Sequence, residues 1–148
     1  MKTDLVVGAM VFWNDKVLLV HHVKLDMWLP VGGHIDENET FDQAIKREIK
    51  EETNLDVELI NTSGLEPSNH VKQVLALPFD INLHSVGDHD HCCAFYLCKA
   101  LNPEELKTNE RELKAVKWLS KDELDKVELD DYNKKQILKA FEIISTKQ

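Results

Sequence analysis

Residues 5 to 13, Leu-Val-Val-Gly-Ala-Met-Val-Phe-Trp, form an apolar run too short for a buried helix and rich in β-branched and aromatic side chains. Such a run predicts a strand. Asn14-Asp15 is a turn pair, and a second apolar run from Lys16 to Val23 completes a β-hairpin. Lys24 to Pro30 has no period and predicts irregular chain, and Val31-Gly32-Gly33-His34 predicts a glycine-bearing bend. From Thr40 to Thr53 the pattern turns helical. Thr40 and Gln43 fit a capping box, with Thr40 as N-cap, and Asn54 suits the left-handed position after the last turn. Further strands are predicted over Leu55 to Ile60, within Val71 to Asn82 (interrupted or ended near Pro78), over Cys92 to Ala100 and over Ala115 to Leu119. Asn102 to Leu106 predicts a helical turn entered through Pro103. Ser120 and Glu123 form a second capping box that opens a short helix through Leu124. Tyr132 to Ile144 is an amphipathic final helix, with Ile137, Leu138, Phe141 and Ile144 on one stripe. Strands interleaved with helices, without repeats or long linkers, predict one layered α/β domain over residues 1–148.

The helix at 40–53 breaks its own pattern. At about 100° per residue, with Phe41 at zero, Ala44, Ile45 and Ile49 make an apolar face, and Gln43, Lys46 and Lys50 the opposite, solvated one. Glu48, Glu51 and Glu52 continue the apolar face. Glu48 and Glu52 repel at i and i+4. Glu51 and Glu52 sit where the helix dipole disfavours anions. Carboxylates turned toward the protein body also lose hydration. An ordinary charged helix, its acids paired with Arg47, Lys46 or Lys50, is the alternative, but the two lysines project the other way. A hard divalent cation, Mg²⁺ or Mn²⁺, relieves all three costs at once.

Charge sharpens this picture. The chain carries 27 Asp plus Glu against 18 Lys plus Arg, a net −9. Residues 36–52 alone hold seven acids and three bases. This balance excludes a protein that grips duplex nucleic acid through its phosphates, but not one that meets phosphates through a bound cation. No run approaches the roughly 18 apolar residues of a membrane span, and the start lacks a secretory pattern. Cys92, Cys93 and Cys98 lack zinc-ligand spacing, so reduced thiols in a cytoplasmic protein are expected.

At this point the sequence resembles the Nudix hydrolases, the MutT-like pyrophosphohydrolases. The family signature is Gly, five residues, Glu, seven residues, Arg-Glu, an aliphatic, one residue, Glu-Glu, one residue, Gly, an aliphatic. Here Gly33 is followed by Glu39 and by Arg47-Glu48-Ile49-Lys50-Glu51-Glu52-Thr53-Asn54-Leu55. The box thus occupies residues 33–55 and matches throughout except at Asn54, which stands for Gly and can keep a left-handed cap. Trp28-Leu29-Pro30 before the glycines, and Val116 to Ser120 before Glu123-Leu124, also look like the family's surroundings.

The resemblance implies an α/β/α sandwich with a mixed β-sheet. It implies an enzyme that hydrolyses a phosphoanhydride in a nucleoside diphosphate linked to another group, using Mg²⁺ or Mn²⁺. Carried over position by position, Glu48, Glu51 and Glu52 are implied metal ligands, one of which orients or deprotonates the attacking water. The carbonyl of Gly32 is a further ligand, and Glu39 and Arg47 brace the loop and helix. Glu112 is the candidate carboxylate from outside the box, with Glu110 second. A small nucleotide is the implied substrate, and the resemblance allows a homodimer, for which the sequence marks no interface.

Weaker signals remain. Asp88-His89-Asp90-His91 has the look of a metal cluster, but the box already supplies a cation site, so His89 and His91, with Lys24, are expected to face solvent or touch substrate. Trp28 and Phe12 could stack on a base, although core packing is the commoner fate of such aromatics. The polar stretch 61–70 is of the kind that lies over a site. Two other readings stay open. One is a non-catalytic nucleotide-binding or regulatory domain on the same fold. The other is an isomerase-like member that relies on the cysteines.

Overall fold

The computed structural model describes residues 1–147. Its organising element is β1 (Thr3–Trp13), in which every residue from Val6 to Phe12 except Gly8 is a buried hydrophobic. A strand apolar at both odd and even positions needs cover on both faces, and β1 has it. It pairs antiparallel with β2 (Lys16–His22) and β4 (Val31–His34), and parallel with β7 (Asp90–Ala100). The rest of the mixed eight-stranded sheet is β3 (Trp28–Leu29) and β8 (Leu113–Ser120) beside β2, and β5 (Val57–Leu59) and β6 (Asp80–Ser85) beside β7.

Helix α1 (Phe41–Thr53) covers one face. Its Ala44, Ile45 and Ile49 pack with Val7, Ala9, Val11, Leu18, Val20, Tyr96 and Cys98. Helix α2 (Asp131–Thr146) covers the other, where Ile137, Ala140 and Ile144 meet Val6, Met10, Phe12, Val17, Leu19, Phe95 and Leu97. Strict alternation along β1, β2 and β7 divides the two cores, as a pleated strand requires. This is the expected α/β/α arrangement.

Both capping boxes form: Thr40 accepts from the Gln43 amide at 3.1 Å, and Ser120 pairs reciprocally with Glu123. Asn54 is the left-handed cap, with φ 64°, and its amide returns to Lys50 O at 2.9 Å.

The structure corrects several expectations. Residues 31–34 are a strand rather than a bend, because Gly33 and Gly32 lie directly across from Val7 and Gly8. The pattern from Val71 to Asn82 placed its strand too early. Regular structure begins at Asp80, after Pro78, and the preceding segment is fixed instead by isolated bonds such as Leu77 N to Asn61 O at 2.8 Å. The helix after Ser120 is a 3₁₀ segment, Lys121–Lys126. Phe41, counted on the apolar face of α1, is 45% exposed. Among the described residues, no helix is long and apolar enough to cross a membrane.

Candidate active site

The loop into α1 is built around Arg47. Its guanidinium donates to both carboxylate oxygens of Glu39, Nε to Oε2 at 2.7 Å and Nη2 to Oε1 at 2.9 Å. Nη2 also donates to the main-chain oxygen of His34 at 2.9 Å, and Nη1 to Glu48 Oε1 at 2.9 Å. Glu39 in turn accepts the Asp36 amide at 2.8 Å. One planar fork thus ties the loop, the end of β4 and the helix together. Hydrogen bonding by Arg47, then by the Asp36 amide, holds Glu39 below the usual carboxylate range.

The acids that follow Arg47 within the next turn behave differently. Glu52 is 2% exposed, and its Oε2 has no hydrogen-bond partner. Burial above all, then the charges of Glu48, Glu112 and Glu51, push its carboxyl up to about 8, and the Gly32 amide offsets this only in part. Burial also raises Glu48, against the pull of Arg47. Glu51, expected to continue the apolar face, instead points outward with its side chain 53% exposed, at the edge of the stripe that α1 presents to the sheet, and is more loosely held by Arg47, at 3.4 Å. Neither lysine of the helix neutralises the cluster. Lys50 reaches Asp56 at 3.3 Å instead, and Lys46 is exposed on the solvated face. The ordinary charged helix therefore describes Arg47 but not Glu52.

The glycines make room for this cluster. A methyl group on Gly33 would overlap the Glu48 carboxylate, and one on Gly32 would strike the main chain of β1 at Val7. β1 and the acidic turn of α1 therefore approach β4 as closely as backbone allows.

Glu112 comes from a segment the box does not contain. Asn109 docks this segment on the end of α1: its amide donates to Glu52 O at 3.1 Å and its side-chain amide to Glu51 O at 3.3 Å. The Glu112 amide then closes on Asn109 O at 3.1 Å. This brings the Glu112 charge within reach of both Glu48 and Glu52. Glu110, the second candidate, is exposed and is not among the charges that raise either acid. Asn109 was missed from sequence; a lone Asn in a polar loop carries no signal of such docking.

The remaining candidates lie elsewhere. Lys24 stands on an exposed turn beside Val23, whose amide donates to Glu112 O at 2.8 Å. Trp28 stacks on His21 with centroids 5.0 Å apart, and the Lys117 ammonium lies 5.3 Å from its centroid. Phe12 is buried edge-on against Phe141. His89 and His91 meet Asp4 and His34 rather than the glutamates. All three cysteines are free thiols. Burial pushes Cys93 up to about 12 and Cys98 higher still, so both are protonated and inert at neutral pH.

Comparison with known proteins agrees with this architecture. The NUDIX domain family matches residues 2–141. An uncharacterized Nudix hydrolase of Nostoc sp. is 30% identical over 105 residues, which are 67% of this chain and 54% of the relative. The NAD-capped RNA hydrolase NudC of Vibrio vulnificus is 27% identical over 116 residues, 77% of this chain and 37% of the relative. The chain thus spans only about half of the first relative's length and less of the second's. The crystal structure of a Nudix-family hydrolase from Clostridium perfringens superposes with a TM-score of 0.80 at 27% identity, covering 97% of this chain and 99% of that one. The Ap4A hydrolase of C. elegans shares the fold, with a TM-score of 0.73 at 18% identity over 98% of this chain and 99% of that one. With its signature at 33–55 folded onto the end of β4 and α1, and with family likeness from residue 2 to 141, the chain belongs to the Nudix family.

Proposed function

We propose that the chain is a divalent-cation-dependent hydrolase that cleaves a phosphoanhydride bond in a nucleoside diphosphate linked to another group. The observation that carries this is Glu52, a buried carboxylate with an unpartnered oxygen and three further carboxylates around it. Protein groups nearby do not neutralise it, whereas a hard cation fits the all-oxygen donor set of Glu48, Glu51, Glu52, Glu112 and the Gly32 carbonyl. Bound there, Mg²⁺ or Mn²⁺ supplies neutralisation of the diphosphate and activation of water.

The chain's own residues do the rest. Arg47 and Glu39 fix the loop and keep Glu48 aimed at the site. Gly32 and Gly33 let β4 pack directly against β1 and against the Glu48 carboxylate, which holds that acid close to the Gly32 backbone. One carboxylate of the cluster orients the attacking water and accepts its proton. Lys24, which follows Val23 on the turn bonded to the Glu112 carbonyl, is the cation we assign to meet a phosphate. Two of the sequence relatives are named NAD-capped RNA hydrolases, which supports a nucleoside diphosphate derivative as the substrate class.

The test is a substrate panel with Mg²⁺ or Mn²⁺: nucleoside triphosphates, oxidised nucleoside triphosphates, nucleotide sugars and dinucleoside polyphosphates, with products separated and identified. Cation-dependent turnover of at least one class is expected, falling more than about 100-fold in Glu52→Gln. Binding without turnover would favour the regulatory reading, and equal turnover by Glu52→Gln would refute the assignment.

A further inference from the structure

At the N-terminal end of β1 a second group of ligating side chains converges, separate from the glutamates. Asp4 lies directly across from His91 in the β1–β7 register, and His34 across from Val6, two residues along the same face as Asp4. His89 enters from the β6–β7 turn, which is closed by Val86 N to His89 O at 3.0 Å. This is the sheet face opposite α1, since Gly33, not His34, abuts Glu48.

The donor atoms point at one another. Asp4 Oδ2 lies 3.1 Å from His34 Nε2 and 3.4 Å from His89 Nε2. His89 Nε2 lies 3.2 Å from His91 Nε2. One ligand atom each from Asp4, His34 and His91 fall within 4.8 Å of one another. Zinc–nitrogen and zinc–oxygen bonds of about 2.0–2.1 Å place tetrahedral ligand atoms about 3.3 Å apart. Three of the six separations among these four side chains are therefore near those of a tetrahedral ligand shell, and His89 joins the mutually close group of Asp4, His34 and His91 through its contacts with Asp4 and His91.

The surroundings suit imidazoles that act as ligands. His89 turns its other nitrogen, Nδ1, to Asp88 Oδ1 at 2.7 Å, the carboxylate–imidazole arrangement that orients a metal-binding histidine and raises its basicity. Burial first, then the neighbouring His34, His84 and His89, holds His91 below the usual imidazole range and so neutral at physiological pH. Asp4 is pushed up by burial, but hydrogen bonds from His34 and Lys2 overrule this and keep it ionised.

We propose that Asp4, His34, His89 and His91 bind a single zinc-class transition-metal ion, which joins β1, β4 and the β6–β7 turn. Three imidazoles and one carboxylate select a borderline ion over Mg²⁺, so the molecule sorts two kinds of cation between the two faces of its sheet. The site also touches the catalytic loop. His34 supplies the main-chain oxygen that Arg47 holds at 2.9 Å, so an ion on its ring steadies the strand end on which the acidic cluster rests.

The experiment is a calorimetric titration of metal-free protein with Zn²⁺ under saturating Mg²⁺, with Co²⁺ as an optical probe of geometry. One equivalent of Zn²⁺ is expected, along with the intense visible bands of tetrahedral Co²⁺. Affinity should fall at least tenfold in His34→Ala and in His91→Ala, and should be unchanged in Glu52→Gln. Nitrogen-15 imidazole spectra of the unmutated protein provide a check independent of any variant's folding: Zn²⁺ should move the Nε2 resonances of His34, His89 and His91 and spare His21, His22 and His70. Substoichiometric binding, unchanged affinity in both histidine variants, unmoved resonances, or loss of binding in Glu52→Gln would each overturn the assignment. The last result would return the ion to the glutamate site.

Discussion

Arg47 and Glu39 meet through two parallel hydrogen bonds, 2.7 and 2.9 Å long, across the loop that opens α1. Only a planar fork can make both while also reaching Glu48 and the His34 carbonyl. Arg47→Lys keeps the charge and loses the fork. Because the Arg47 side chain is only 24% exposed, the change should lower unfolding free energy by about 2 kcal/mol in urea denaturation. If the fork's role is to position Glu48, kcat should fall at least tenfold with KM little changed. Wild-type stability and kcat in Arg47→Lys would show that charge alone suffices.

Gly33 and Gly32 make separable predictions. A methyl group on Gly33 meets the end of the Glu48 side chain, which can swing away. Gly33→Ala should fold, with a melting temperature close to wild type, and lose most of its activity because Glu48 is displaced. The methyl group on Gly32 meets the β1 backbone, which cannot yield. Gly32→Ala should therefore fold poorly or not at all. The reverse ranking, measured by thermal melts beside kcat, would contradict the close approach of β4 to β1.

Asn54 occupies the one signature position that departs from the family pattern, and its φ of 64° explains why the departure is tolerated. Its side chain also donates to Glu105 O at 3.0 Å. Asn54→Ala should cost about 1–2 kcal/mol, from left-handed strain and the lost bond together. Asn54→Gly removes the same bond but relieves the strain, so it should lie within about 0.5 kcal/mol of wild type. Chemical denaturation of both variants decides this. Equal losses in the two would show that the hydrogen bond, not the backbone conformation, dominates.

What could be read in advance followed the range of each interaction. Thr40, Gln43 and Asn54 act within one helical turn, and both caps were legible. The inward turn of Glu52 followed from helical period alone, since its burial is set by which face α1 presents to the sheet. Phe41 misled because a first-turn residue can look outward while the rest of its stripe is buried. Residues 31–34 read as a bend because two adjacent glycines carry no side-chain pattern; the neighbouring β1 makes them a strand. Asn109 and the Asp4–His34–His91 group depend on residues 30 or more positions apart. The histidine pair could be seen in the sequence, but the carboxylate and third imidazole that complete it were brought together only by the β4–β1–β7 pairing.

Glu52 also makes the metal-free protein sensitive to pH. Its folded value, about 8, lies above the ordinary 4.5, so folding favours the protonated carboxyl. The stability this contributes is fully present below about pH 4.5 and is lost as pH rises through 8. After chelation, the protein should melt at a lower temperature at pH 8.5 than at pH 5.5, with roughly 3–4 °C for each kcal/mol in a chain of this length. Glu52→Gln cannot ionise there, so its profile over the same range should be flatter and should lie above wild type at pH 8.5. Mg²⁺ added at pH 8.5 should raise the wild-type melting temperature, because it binds the ionised cluster of the folded state, and should do much less for Glu52→Gln. Parallel pH profiles for the two proteins without metal would mean that Glu52 is not the strained carboxylate its burial makes it, and the cation site would then have to be sought around Glu48 instead.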